Sequence, residues 1–185
     1  MIYPVYVYGM PVLRKRAREI EEDHEGLAQL IEDMFETMYS SDGVGLAAPQ
    51  IGMSVRLIVI DASAMEDEEH PELLDFKRVL INPEIIEEEG EEWPFSEGCL
   101  SLPAIREDVL RKSVIRLQYY DQDFTFHDEQ YDGIKARIIQ HECDHLNGIL
   151  FTDKVSPLKK RMLKNRLADI SKGKVDVKYK IIHPK

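Results

Sequence analysis

Apolar residues Leu27, Leu30, Ile31, Met34, Phe35 and Met38 recur at three- and four-residue intervals through EGLAQLIEDMFETMYSS (residues 25–41). That is the period of a helix with one buried face, and Asp42 followed by Gly43 stops it. VRLIVID (residues 55–61) is almost continuously apolar and reads as a buried strand, whereas ASAMEDEEHPELLDFK reads as an acidic surface loop. RVLINPEII resumes a strand, with Pro83 marking a bulge or an edge. EEEGEEW predicts an exposed turn around Gly90. VIRLQYYD and FTFHDEQ alternate as antiparallel strands do, joined near residues 121–123. DGIKARIIQHECDHLNG returns to the helical period, opened by Asp132 or Gly133 and ended near Asn147 and Gly148. SPLKKRMLKNRLADISKG predicts a further helix, with Ser156 as N-cap, Pro157 in the first turn and Gly173 at the end. VDVKYKIIH adds a last short strand. Strands in the middle with helices early and late indicate an α+β fold. Mixed or antiparallel strands are expected around the helix that carries QHECDH, with an N-terminal and a C-terminal helix beside them.

No repeat or linker divides residues 1–185, so one domain is expected, ending in a basic helix and tail over residues 153–185. The formal net charge of −11 is unevenly spread. Residues 153–185 carry +8 and the rest −19. An acidic body argues against nonspecific nucleic-acid binding, while the basic tail is a candidate docking site for an anionic partner. The chain shows neither a membrane-length apolar run nor a signal-peptide pattern, so a cytoplasmic protein without a membrane partner is expected. Cys99 and Cys143 are then thiols or metal ligands rather than a disulfide.

QHECDH (residues 140–145) holds the most specific chemistry. Helix positions i and i+4 share a face, so His141 and His145 can aim at one ion, with Glu142 close enough to act as general base toward water there. The third ligand is open on spacing. Thermolysin-like enzymes use a downstream glutamate, and none follows Glu142. The metzincin pattern HExxHxxGxxH fails because Phe151 stands at its last histidine. Asp153, Asp169, Asp176 and His183 remain downstream, whereas Cys99 in EGCLSLP is the best candidate upstream. A His₂Cys set leaves a fourth position for water and admits zinc, iron, cobalt or nickel. Cys143, about 200° round the helix from His141, faces away from the metal. His24, His70 and His127 are expected at the surface.

GVGLAAPQIG (residues 43–52), EGCLSLP (residues 97–103) and QHECDH together resemble, in order and spacing, the three signature motifs of the peptide deformylase family. The resemblance runs from about Pro11 to Lys160. It implies a metal-dependent hydrolase that removes the formyl group from the formyl-methionine of nascent chains. The implied metal ligands are Cys99, His141 and His145. The implied ion is Fe²⁺ in cells, with Zn²⁺, Ni²⁺ or Co²⁺ able to substitute. Glu142 is implied as the proton carrier, and the Gln50 side chain and Leu100 N–H as oxyanion donors. Gly45, flanked by Val44 and Leu46, is implied to pair with substrate as an added strand. Arg106 resembles a substrate-side arginine. Ile134 and Ile138 are candidates for the methionine pocket, and Arg137 stands where several relatives carry an apolar residue near its mouth. Glu97 and Arg111 match an ion pair behind the cysteine turn, and Asp144 is expected to support the helix. Lys159, Lys160, Arg161, Lys164 and Arg166 are candidates for docking on ribosomal RNA, and a monomer is expected. Two alternatives stand beside this reading: another HExxH amidase or peptidase, and a non-catalytic metal-binding relative.

Overall fold

In the computed structural model, which describes residues 1–185, the chain runs in the order β1 (Val5–Tyr6), α1 (Leu27–Ser40), β2 (Gly45–Ala47), β3 (Leu57–Asp61), β4 (Lys77–Cys99), β5 (Leu102–Tyr120), β6 (Phe126–Asp132), α2 (Gly133–Leu146), α3 (Pro157–Ser171) and β7 (Ile181–Ile182). Strands β2-β3-β4-β5-β6 form one antiparallel sheet in that order, and β1 pairs with β7 in parallel. The α+β expectation holds.

The unbroken apolar run of β3 is explained by two helices. Strand side chains alternate between faces. Leu57 and Val59 join Leu46, Val79 and Ile81 against the apolar face of α1. Ile58 and Ile60 join Leu80, Ile115 and Leu117 against Ile138, Ile139 and Cys143 of α2. The α2 helix is thus buried on the sheet side through residues other than its histidines, and Cys143 faces the core as expected. A third cluster joins Leu102, Ile105 and Val109 to Leu163 and Ile170 of α3. No helix is long and apolar enough to cross a membrane.

Two expectations need correcting. Gly90 makes no turn: β4 continues through it, and its φ of +75° accompanies a register shift between Glu89 and Glu92. The left-handed glycine therefore serves a bulge, with an extra residue looped out of the ladder. Beyond Ile81, β4 has lost β3 as a neighbour, so its acidic residues are exposed without breaking the strand. Pro83 does fall at a bulge, between Ile81 and Glu84. The second correction is to β5, which starts at Leu102 rather than near Val114. The two long strands form a hairpin closed by Leu100 and Ser101, and this brings Cys99 to its tip.

Candidate active site

Cys99 ends β4, and His141 and His145 lie one turn apart on α2. Their ligand atoms fall within 4.8 Å of one another. Cys99 Sγ is 3.3 Å from His145 Nε2. His141 Nδ1 donates to Glu97 Oε1 at 2.8 Å, which leaves its Nε2 free for the cluster. A sulfur and two ring nitrogens are the donor set that zinc, ferrous iron and their neighbours prefer. The local field also favours a cation. Burial disfavours an imidazolium at His141, yet Cys99 and Glu97 outweigh it and push its pKa up to about 10. Burial, followed by the charge on His141, pushes His145 the other way. The residues present therefore fit a divalent ion. Asp153, Asp169, Asp176 and His183 are not in the cluster. Asp153 instead accepts from Arg14 at 2.5 Å and from the Leu150 N–H at 2.9 Å.

Behind the ligands lies a buried polar knot centred on Glu97. Its carboxylate accepts from Arg111 Nε at 2.8 Å and Nη2 at 2.9 Å, and from Arg137 Nη1 at 2.9 Å, besides His141. Burial alone would raise the Glu97 pKa, but His141 and Arg111 hold it well below the ordinary carboxylate range. Arg111 also donates to Asp144 Oδ2 at 2.7 Å, tying the hairpin to α2. Arg137 is 2% exposed. It donates further to Val109 O and Trp93 O, and its guanidinium lies 4.7 Å from the Trp93 ring centroid. Its charge is spent on Glu97 and these carbonyls, although the residue also lines the cleft.

Glu142 is 5% exposed, and its Oε2 has no hydrogen-bond partner. Burial pushes its pKa up to about 7, against the lowering effect of His141. Gln50, in the 3₁₀ turn Ala48–Ile51, accepts from the Ala47 N–H through Oε1 at 2.9 Å. Its Nε2 is thereby turned toward Ser101 Oγ at 3.2 Å and Cys99 Sγ at 3.5 Å. Gln50, Glu97, Cys99, His141 and Glu142 border one cleft of about 550 Å³, lined also by Val44, Gly45, Leu100, Arg106, Arg137 and Ile138. Arg106 Nη2 reaches Ser96 O at 2.9 Å along its rim.

Leu46 and Ile134 are not brought to the cleft. Leu46 follows Gly45 in β2, so alternation turns its side chain into the α1 core, where it is fully buried. Ile134 packs in the α2 core. Several contributors escaped the sequence reading. Arg56, 7% exposed, donates to Leu146 O at 3.3 Å and Asn147 Oδ1 at 3.1 Å, a cation at the C-terminal end of the histidine helix. Ser101 sits within EGCLSLP and could have been singled out there. Val177 and Tyr179 line the cleft from the C-terminal segment, and nothing in their sequence context signals it.

Comparison with known proteins identifies the family. A family model described as Polypeptide deformylase matches residues 2–161. The chain is 53% identical over 190 residues to a peptide deformylase of Christiangramia forsetii, covering 100% of this chain and 97% of that one. It is similar in structure to the peptide deformylase of Thermotoga maritima, with a TM-score of 0.76 and 42% identity over 85% of this chain and 99% of that one. A Plasmodium falciparum peptide deformylase in complex with an inhibitor gives a TM-score of 0.79 and 36% identity over 91% of this chain and 99% of that one.

Proposed function

The chain belongs to the peptide deformylase family and removes the formyl group from the N-terminal methionine of newly synthesised proteins, and from that premise we propose which residues carry the reaction. The observation that carries the proposal is the convergence of Cys99, His141 and His145 beside Glu142 and the Gln50 amide. Cys99, His141 and His145 would hold the divalent ion, which would be Fe²⁺ in the cell. When bound, that ion supplies Lewis acidity, which lowers the pKa of water and polarises the formyl carbonyl.

The chain's own residues do the rest. Glu142 takes the proton from the attacking water and passes it to the leaving amine. Burial raises its pKa from the ordinary carboxylate range, which suits a carboxyl that must both take and give up a proton. The oxyanion that develops at the formyl carbon needs fixed donors. Gln50 Nε2 supplies one without adding charge, and its direction is set by the Ala47 N–H on its other side. The Leu100 N–H, at the hairpin tip beside Cys99, supplies the other. Substrate lies along β2, whose only sheet neighbour is β3, so backbone at Gly45 is free to pair with an extended peptide. Ile138 walls the methionine pocket, with the buried stem of Arg137 beside it. Arg106 lies along the substrate path.

Gly45 also has to be glycine. A Cβ there would stand 2.6 Å from Glu142 Oε1 and 2.9 Å from its Cδ. Gly45→Ala should displace the carboxylate and lower kcat by about 10²-fold, read by steady-state kinetics with metal content checked. An unchanged kcat would contradict the placement of Glu142.

On α3, Lys160, Arg161 and Lys164 border a second cavity of about 570 Å³ and are the residues we assign to ribosome docking. Lys159 and Arg166 belong to the same exposed face, and each also reaches the body of the protein, Lys159 pairing with Glu107 and Arg166 donating to Ala104 O.

The reaction is tested by formate release from formyl-Met-Ala-Ser, with acetyl-Met-Ala-Ser as control, using protein prepared without oxygen and loaded with Fe²⁺ or Zn²⁺. Release from the formyl peptide alone, faster with Fe²⁺, is expected. No release with the ion bound in equal amount would favour a non-catalytic relative.

A further inference from the structure

The turn after Cys99 is held from behind by groups far away in the sequence. The Tyr179 hydroxyl donates to Leu100 O at 2.8 Å. The Tyr8 N–H donates to Ser101 O at 2.9 Å. Arg166 donates to Ala104 O, and Ala104 has a φ of +60°, a left-handed conformation that a residue with a Cβ adopts only when its surroundings impose it. On the cleft side, Gln50 bonds Ser101 Oγ. Tyr179 and Arg166 both lie beyond residues 2–161, the span the family model matches. The pairing of β7 with β1 brings the segment before it back over the body, so that Val177 and Tyr179 become part of the cleft wall.

We propose that Tyr179 is a positioning residue for deformylation: by holding the Leu100 carbonyl it fixes the hairpin tip that presents the Leu100 N–H to the oxyanion. This rests on the assignment of that N–H as an oxyanion donor. The Leu100 N–H belongs to the preceding peptide unit, which joins the anchored one at the Leu100 Cα, so a held carbonyl restricts the rotations that would swing that N–H away. A donor that needs no reorganisation stabilises the transition state more than the ground state. The hydroxyl therefore acts on turnover rather than on substrate affinity. Its ring, beside Val177, closes the cleft independently of that bond.

Tyr179→Phe removes the bond and keeps the ring. With Fe²⁺ or Zn²⁺ bound, kcat for formyl-Met-Ala-Ser should fall about three- to tenfold, the worth of one neutral hydrogen bond, while KM holds. Hydrogen exchange at the Leu100 and Ser101 amides should quicken, with the melting temperature little changed. A merely structural tyrosine would move the melting temperature and leave kcat per folded molecule alone; that result overturns the proposal. So does a lower kcat with unchanged exchange at the two amides. Gln50→Ala separates the two layers. If it cripples turnover while Tyr179→Phe is silent, the Tyr179 role fails and the oxyanion site stands. If Gln50→Ala itself keeps full turnover, the Gln50 donor is discarded, and the Leu100 N–H with its Tyr179 support stands or falls on Tyr179→Phe alone.

Discussion

Glu142→Gln should bind the ion as the wild type does and lose about 10³-fold or more in kcat. The amide fills the same volume and takes no proton, so the attacking water keeps its proton and the leaving amine receives none. The fold should not suffer. Glu142 is buried, its Oε2 is unpartnered, and its pKa is pushed up to about 7. Ionising it therefore costs the native state as pH rises from the ordinary carboxylate range, and the neutral amide removes that cost. The measurement is formate release alongside metal content and melting temperature. Turnover within about tenfold of wild type would remove Glu142 from the proton path, since positioned acid–base groups typically contribute more.

Glu97→Ala should have the largest effect on stability. Its carboxylate is 4% exposed and is shared by Arg111, Arg137 and His141. Without it, two buried guanidiniums face each other with no anion between them, and the His141 ring loses the acceptor that sets its tautomer. Removing one partner of a buried ionic cluster typically costs about 3–5 kcal/mol. For a chain of this size that lowers the melting temperature by about 10 °C. Metal affinity should weaken about 10- to 100-fold, as when the carboxylate behind a ligating histidine is lost. Thermal unfolding of the metal-free protein reads the first effect and competition with a zinc chelator reads the second. A Glu97→Ala protein that melts with the wild type and holds zinc equally well would show that the cluster supports neither.

The pH dependence of this cluster has a definite sign. Burial opposes ionisation of Glu97, but His141 and Arg111 hold its pKa well below the ordinary 4.5. Its contribution is therefore complete above that pH and is lost only as pH falls toward the folded value.

Much of the site was legible because its signals are local. The spacing of His141 and His145 with Glu142 needs only helical geometry, and α2 forms over Gly133–Leu146 as its pattern demands. Cys99 was the best upstream candidate and the ligand that the family resemblance implies, yet what carries it to α2 is a hairpin of two long strands whose pairing no local window displays. Gly90 misled because a left-handed glycine suits a turn and a bulge equally, and only the partner strand decides between them. Arg137 could be placed near the pocket but its bonding could not be read, because its partner Glu97 lies forty residues earlier. Ile134 looked like a pocket residue because apolar character does not reveal which side of a wall is open.

The sequence by itself determined the helices, the α+β class, the placing of His141, Glu142 and His145 on one helix and the family, since each rests on residue type and short spacing. Tertiary structure alone decided what shares the Glu97 carboxylate, which apolar residues face the cleft rather than the core, and that Tyr179 reaches the Leu100 carbonyl. Those contacts join residues 14 to 79 positions apart, and they exist only because the core clusters and the β1–β7 pairing bring distant segments together.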